Sequence, residues 1–135
     1  MSDPIEDVEG IGPAFAAKLR AVGITNTGKY LERAGTTKGR ADLAEETGIS
    51  PKLILTWANM ADLMRISGIG GQFAELLVAA GVDTVKELRT RNAANLAAKM
   101  ETINAERQLT KGTASEAKVQ GWIDQAKEMA PAITH

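Results

Sequence analysis

The chain repeats itself, and that repeat limits what it can fold into more than any other feature. Residues 8–24 read VEGIGPAFAAKLRAVGI and residues 66–82 read ISGIGGQFAELLVAAGV, an offset of 58 with eight of 17 positions identical. The identities are Gly10/Gly68, Ile11/Ile69, Gly12/Gly70, Phe15/Phe73, Ala16/Ala74, Leu19/Leu77, Ala21/Ala79 and Gly23/Gly81. A second echo follows at an offset of 65, where Ser50, Trp57, Ala61 and Met64 match Ser115, Trp122, Ala126 and Met129. The chain therefore reads as two copies of one plan, residues 1–65 and 66–135, the second carrying about seven extra residues near 103–113. Neither copy has core enough to be secure alone, so the two are expected to pack into one compact unit.

The plan is helical. Of the 135 residues 22 are alanine, the best helix former, and no stretch alternates apolar and polar residues as a half-buried strand would. Pro13 suits the first position of a helix, and Phe15, Ala16, Leu19 and Val22 then share one face before Gly23 stops it. Thr25 or Thr27 is the expected cap of a second helix ending near Gly35, and Thr36 or Thr37 that of a third ending at Gly48. Ser50-Pro51 opens a fourth running to Met64. The second copy is expected to run similarly: about 71–80, then 85–91 capped by Asp83 or Thr84, then 93–106 capped by Asn92. Ser115 opens the last helix, to about Met129.

The repeated pattern, apolar-x-Gly-apolar-Gly-x-x-Phe-Ala-x-x-Leu-x-x-x-Gly-apolar, resembles the helix-hairpin-helix motif. Two glycines permit backbone angles closed to other residues. The middle isoleucine anchors the hairpin, and the hairpin N–H groups with the next helix N-terminus make a partial positive site for an anion. The resemblance implies that the anion is a nucleic-acid phosphate, and that a monovalent cation at a hairpin sometimes assists. It also implies an all-α fold of two tandem helix-hairpin-helix repeats, each followed by two further helices, related by a pseudo-two-fold. The whole chain is similar to an uncharacterised bacterial domain-of-unknown-function family. The likeness lies in the IEDVEGIGPAFAAKLRAVGI opening, the TGISPKLILTWANMADLMRISGIG middle, and the GVDTVKEL and WIDQAKEM segments.

Charge decides which functions remain. Sixteen Lys+Arg stand against 17 Asp+Glu. The first 12 residues carry −4 from Asp3, Glu6, Asp7 and Glu9, whereas residues 13–40 carry six cations (Lys18, Arg20, Lys29, Arg33, Lys38, Arg40) and Glu32 alone. Such segregation can give a neutral protein one basic face. Many DNA-binding hairpins have a Lys or Arg two residues after the second glycine; Ala14 and Gln72 stand there instead. With no cysteine and one histidine, His135, thiolate chemistry and any mechanism needing an internal histidine are excluded. Asp83 follows the second hairpin, where a glycosylase of this motif would need an acid, but reads better as a helix cap. A Rossmann loop is excluded because no strand precedes either hairpin and the third glycine is missing. The acidic opening reads as a flexible, solvated terminus. No signal peptide or membrane span is evident, so a cytoplasmic protein is expected.

Trp57 and Trp122 invite a base-stacking role, but their apolar neighbours at helical spacing read as packing. Phe15 and Phe73 read the same way. What remains is a non-enzymatic binding module gripping nucleic-acid (DNA) backbone through Gly10, Ile11, Gly12, Lys18, Arg20, Gly68, Ile69 and Gly70. The alternative is a protein-interaction, scaffolding or self-association module in which the hairpins are purely structural. No metal, other cofactor, small-molecule substrate or membrane is expected in either case.

Overall fold

Prolines and glycines punctuate the chain where helices begin and end. The structure is a computed structural model describing residues 2–135. A 3-10 helix, Ile5–Asp7, precedes eight α-helices: α1 (Pro13–Ala21), α2 (Thr27–Ala34), α3 (Thr37–Thr47), α4 (Pro51–Leu63), α5 (Gly71–Ala79), α6 (Val85–Leu88), α7 (Ala93–Arg107) and α8 (Glu116–Lys127). The described residues hold no strand, only an isolated bridge between Pro4 and Asn26. Three helices follow α1 and three follow α5, the number that the caps and glycine stops predict for each half.

The caps follow side-chain chemistry. Thr36, Ser50, Thr84, Asn92 and Ser115 each accept a backbone N–H of the first turn they open. Asn26 caps α2, rather than Thr25 or Thr27. Its extended backbone aims Oδ1 at the Lys29 amide, 2.8 Å away. Thr27 is buried and its hydroxyl accepts the Asp3 amide instead. Thr84, not the exposed Asp83, caps α6. That helix stops at Leu88, short of residue 91, because Thr90 and Arg91 donate to carbonyls three residues back. Gly48 ends α3 at φ +72°, a left-handed cap that a glycine takes without strain.

One apolar cluster runs from Ile5 to Ile133. At its centre is α4, in which every residue from Trp57 to Leu63 is buried, and which packs against α2, α3 and α5. In the second half α8 packs on α6 and α7 in the corresponding way, and α5 joins α4 to α7. Buried alanines (Ala58, Ala61, Ala74, Ala80, Ala126) let these short helices approach closely.

The acidic opening is not a loose terminus. Ile5 and Val8 are buried, Ile5 N–H donates to the Thr25 carbonyl, and Thr27 N–H donates to that of Asp3. The other end is fastened as well. Buried Arg40 donates to the Ala34, Gly35 and Thr134 carbonyls, while Thr134 N–H donates to Gly35 and Thr37 Oγ1 donates to the His135 carbonyl.

Candidate nucleic-acid interface

The two Gly-Ile-Gly turns have nearly the same geometry. Gly10 and Gly68 sit at φ +96° and +95°, where a side chain is strained. Ile11 N–H donates to the Val8 carbonyl and Ile69 N–H to the Ile66 carbonyl, both at 3.1 Å. Ile11 and Ile69 are buried, which anchors each turn, and Gly12 and Gly70 are the extended N-caps of α1 and α5.

Each turn is stapled by a tryptophan from a later helix. A β-carbon built on Gly10 would lie 3.3 Å from Trp57 Nε1, and one built on Gly68 3.0 Å from Trp122 Nε1. Phe15 meets Trp57 edge to face with centroids 5.0 Å apart, and Phe73 meets Trp122 at 5.3 Å. Both indoles are 2% exposed, so they are packing residues and not stacking platforms. Burying one such ring contributes roughly 4–6 kcal/mol from area alone. The offset of 65 between the tryptophans, against 58 between the turns, reflects the extra residues between α5 and α8.

The surroundings of the turns differ. At the first turn Gly10, Gly12, Pro13 and Ala14 are exposed. No side chain caps α1, and the Gly12, Ala14 and Phe15 amides donate to nothing among the described residues. Lys18 is exposed on α1 with no carboxylate within ion-pair range there, whereas Arg20 is taken. Its Nη2 lies 2.6 Å from Glu6 Oε1 and its Nε 3.1 Å from Glu6 Oε2, a two-pronged pair. That hydrogen bond from Arg20 holds the Glu6 carboxyl below its ordinary value.

At the second turn Leu76 and Val78 occupy the positions of Lys18 and Arg20. A cleft of about 420 Å³ is lined there by Gly70, Gly71, Gln72 and Phe73 on one side and Asp3, Glu6, Asp7 and Glu9 on the other. The N-terminal segment comes so close that a β-carbon on Gly71 would collide with the Asp7 carbonyl oxygen. Glu75, one turn into α5, has its carboxyl pushed up by burial first and by Glu9 second, with Arg107 opposing. A cation from α8 is seated beside this turn, where Lys118 Nζ sits 5.1 Å from the Phe73 ring centroid. Its equivalent in the first half is Leu53, so the repeat pattern gave no signal for it.

Most of the basic stretch of residues 13–40 is paired or buried. Arg33 pairs with Glu46, Lys38 Nζ lies 3.0 Å from Asp42 Oδ2, and Arg40 is spent on backbone carbonyls. Only Lys18 and Lys29 of the six have neither an ion pair nor burial among the described residues. Sequence reasoning also missed Asp62. Its carboxylate is 1% exposed, pairs with Arg65 at 2.8 Å and accepts the Val85 amide at the start of α6. No group of three or more His, Cys, Asp or Glu among the described residues is arranged to hold a metal ion, and no helix there is long and apolar enough to cross a membrane.

Fold and site together define an all-helical protein with two tryptophan-stapled Gly-Ile-Gly turns in unlike electrostatic settings. Residues 9–129 match the family described as Domain of unknown function (DUF4332), and the chain belongs to that family. No curated protein and no solved structure matches it.

Proposed function

We propose that this chain is a non-enzymatic module that holds a nucleic-acid backbone at its first Gly-Ile-Gly turn, without base specificity, while the second turn serves the architecture. In this reading the turns are the hairpins of two tandem helix-hairpin-helix repeats, residues 1–65 and 66–135, related by a pseudo-two-fold. The observation that carries it is the exposed start of α1, where the Gly12, Ala14 and Phe15 amides are unpaired and no acid caps the helix. A phosphate oxygen can accept from those amides at the positive end of the helix dipole, with Lys18 one and a half turns further on. Contacts of this kind position a protein and carry little sequence information. The Gly10 carbonyl accepts no hydrogen bond among the described residues, which suits a monovalent cation, but the phosphate contacts require none.

The test is fluorescence anisotropy of a labelled random duplex at low and physiological salt. Binding that weakens steeply with salt and falls in Lys18→Ala is expected. A flat titration at low salt, where screening is least, would remove the nucleic-acid reading. A second reading has its own support in the pairing of Arg20, Arg33 and Lys38 with carboxylates. There the turns are purely structural and a helix face meets a protein or another copy of the chain. Concentration-dependent sedimentation together with that flat titration would favour it.

A further inference from the structure

Resting on the nucleic-acid reading above, we infer that the acidic segment 3–9 is a built-in brake on phosphate binding, an autoinhibitory contact that holds Arg20 back from the backbone and keeps anions off the second turn. Three observations carry it. The segment is fixed in place. Asp3 N–H donates to Thr27 Oγ1 at 3.1 Å, Ile5 N–H donates to the Thr25 carbonyl at 3.1 Å, and the Ile5 and Val8 side chains are buried. Its carboxylates are therefore presented from a rigid backbone and act at full local concentration. Next, Glu6 grips Arg20 through both oxygens, on the helix that begins at the first turn. A guanidinium paired in that way offers its fork to a carboxylate where it would otherwise offer it to a phosphate. Finally, Asp3, Glu6, Asp7 and Glu9 share one cleft with the start of α5. The anion-attracting end of that helix thus already faces negative charge supplied by the same chain.

The two parts of the brake act differently. At the second turn the carboxylates repel an incoming phosphate while offsetting the helix dipole. At the first turn a single pair removes one cation from the count of phosphates neutralised. That count sets the salt dependence of binding, with a slope near −0.9 per phosphate on duplex DNA. Releasing Arg20 therefore has a signature separate from a general loss of negative charge.

The experiment titrates a labelled duplex with the full chain as wild type, Glu6→Gln, Arg20→Gln and the double variant, at several salt concentrations. Glu6→Gln is expected to bind about three- to tenfold more tightly at low salt, and its slope in log affinity against log salt should steepen by about 0.9. Between about 50 and about 200 mM salt its affinity should then fall by a further factor of about 3.5 relative to wild type. Arg20→Gln in the Glu6→Gln background should abolish the gain. Equal binding by wild type and Glu6→Gln overturns the brake and leaves the nucleic-acid reading in place. A gain that survives in the double variant overturns the release of Arg20. No binding by any variant at low salt removes the nucleic-acid reading, and the brake with it. Should Glu6→Gln melt early, Asp7→Asn/Glu9→Gln tests the second-turn half with the Arg20 pair intact. Unchanged binding in that variant would overturn that half.

Discussion

Adding a single methyl group at either turn tests the stapled geometry most sharply. Gly10→Ala places a β-carbon at φ +96°, beyond the small left-handed region, and 3.3 Å from Trp57 Nε1. The backbone strain is about 1–2 kcal/mol, and the crowding adds up to about 1 kcal/mol because the buried indole, backed by Phe15, can give only a few tenths of an ångström. Gly68→Ala meets Trp122 Nε1 at 3.0 Å, so its cost is higher, about 2–4 kcal/mol. Gly12 and Gly70 are the internal controls. Their φ values are −83° and −91°, and nothing lies within 4 Å of an added β-carbon. Alanine there gains from a stiffer unfolded chain and loses as a poorer N-cap, and the two nearly cancel. Unfolding entropy scales with length, so each kcal/mol shifts the melting temperature by about 3.5 °C in a chain of this size. Thermal unfolding followed by circular dichroism should rank the variants as Gly68→Ala lowest, then Gly10→Ala, with Gly12→Ala and Gly70→Ala near wild type. A Gly10→Ala protein melting together with Gly12→Ala would refute the strained, tryptophan-stapled turn.

Three further outcomes follow from groups outside the turns. Asp62→Ala leaves the Val85 amide without its acceptor and Arg65 without its partner, and should cost about 2–4 kcal/mol, seen as a melting temperature lower by about 7–14 °C. Asp62→Asn, which keeps an acceptor for Val85, should cost less. Tyr30, the chain's single tyrosine, is fully buried and donates to the Ile54 carbonyl at 2.6 Å, and burial raises its pKa well above the ordinary value. The folded state holds that proton, so stability is lost as pH climbs past the usual tyrosine value of about 10. Phenolate absorbance should therefore appear together with loss of helical dichroism, and a phenolate step with the helices intact would contradict the burial. Glu75 has its pKa raised by burial, so its contribution to stability is full below its unfolded pKa and is lost as pH rises through the folded value. Glu75→Gln should melt higher than wild type at neutral pH, with the advantage gone in acid; an advantage that persists in acid would deny the titration.

Much of the fold can be read from local chemistry. Pro13 and Pro51 begin helices, Thr36, Ser50, Asn92 and Ser115 cap them, and Gly48 ends one in a left-handed conformation, because each effect is decided within a few residues. The repeat placed both turns, and apolar spacing placed both tryptophans in the core. What could not be read depends on partners distant in sequence. Asn26 displaced its threonine neighbours as a cap because Thr27 is drawn inward by Asp3, 24 residues away. The acidic opening reads as solvated because the bonds from Ile5 to Thr25 and from Arg20 to Glu6 join segments that composition keeps apart. For the same reason the run of six cations is largely taken up: Glu46, on the helix after that of Arg33, pairs with it, and Arg40 turns inward to hold residues near 134, while Lys38 is matched within its own helix by Asp42. Segregation of charge along a chain and segregation over a surface are different quantities, and only packing relates them.

The most direct test of a one-sided phosphate site is amide chemical-shift mapping. The labelled chain would be titrated with a short random duplex at low salt while the resonances of both turns are followed. The expected result is that Gly12, Ala14 and Phe15 move with added duplex and salt reverses the shifts, while Gly70, Gly71 and Gln72 stay still. Shifts centred on the second turn, or on neither, would contradict it.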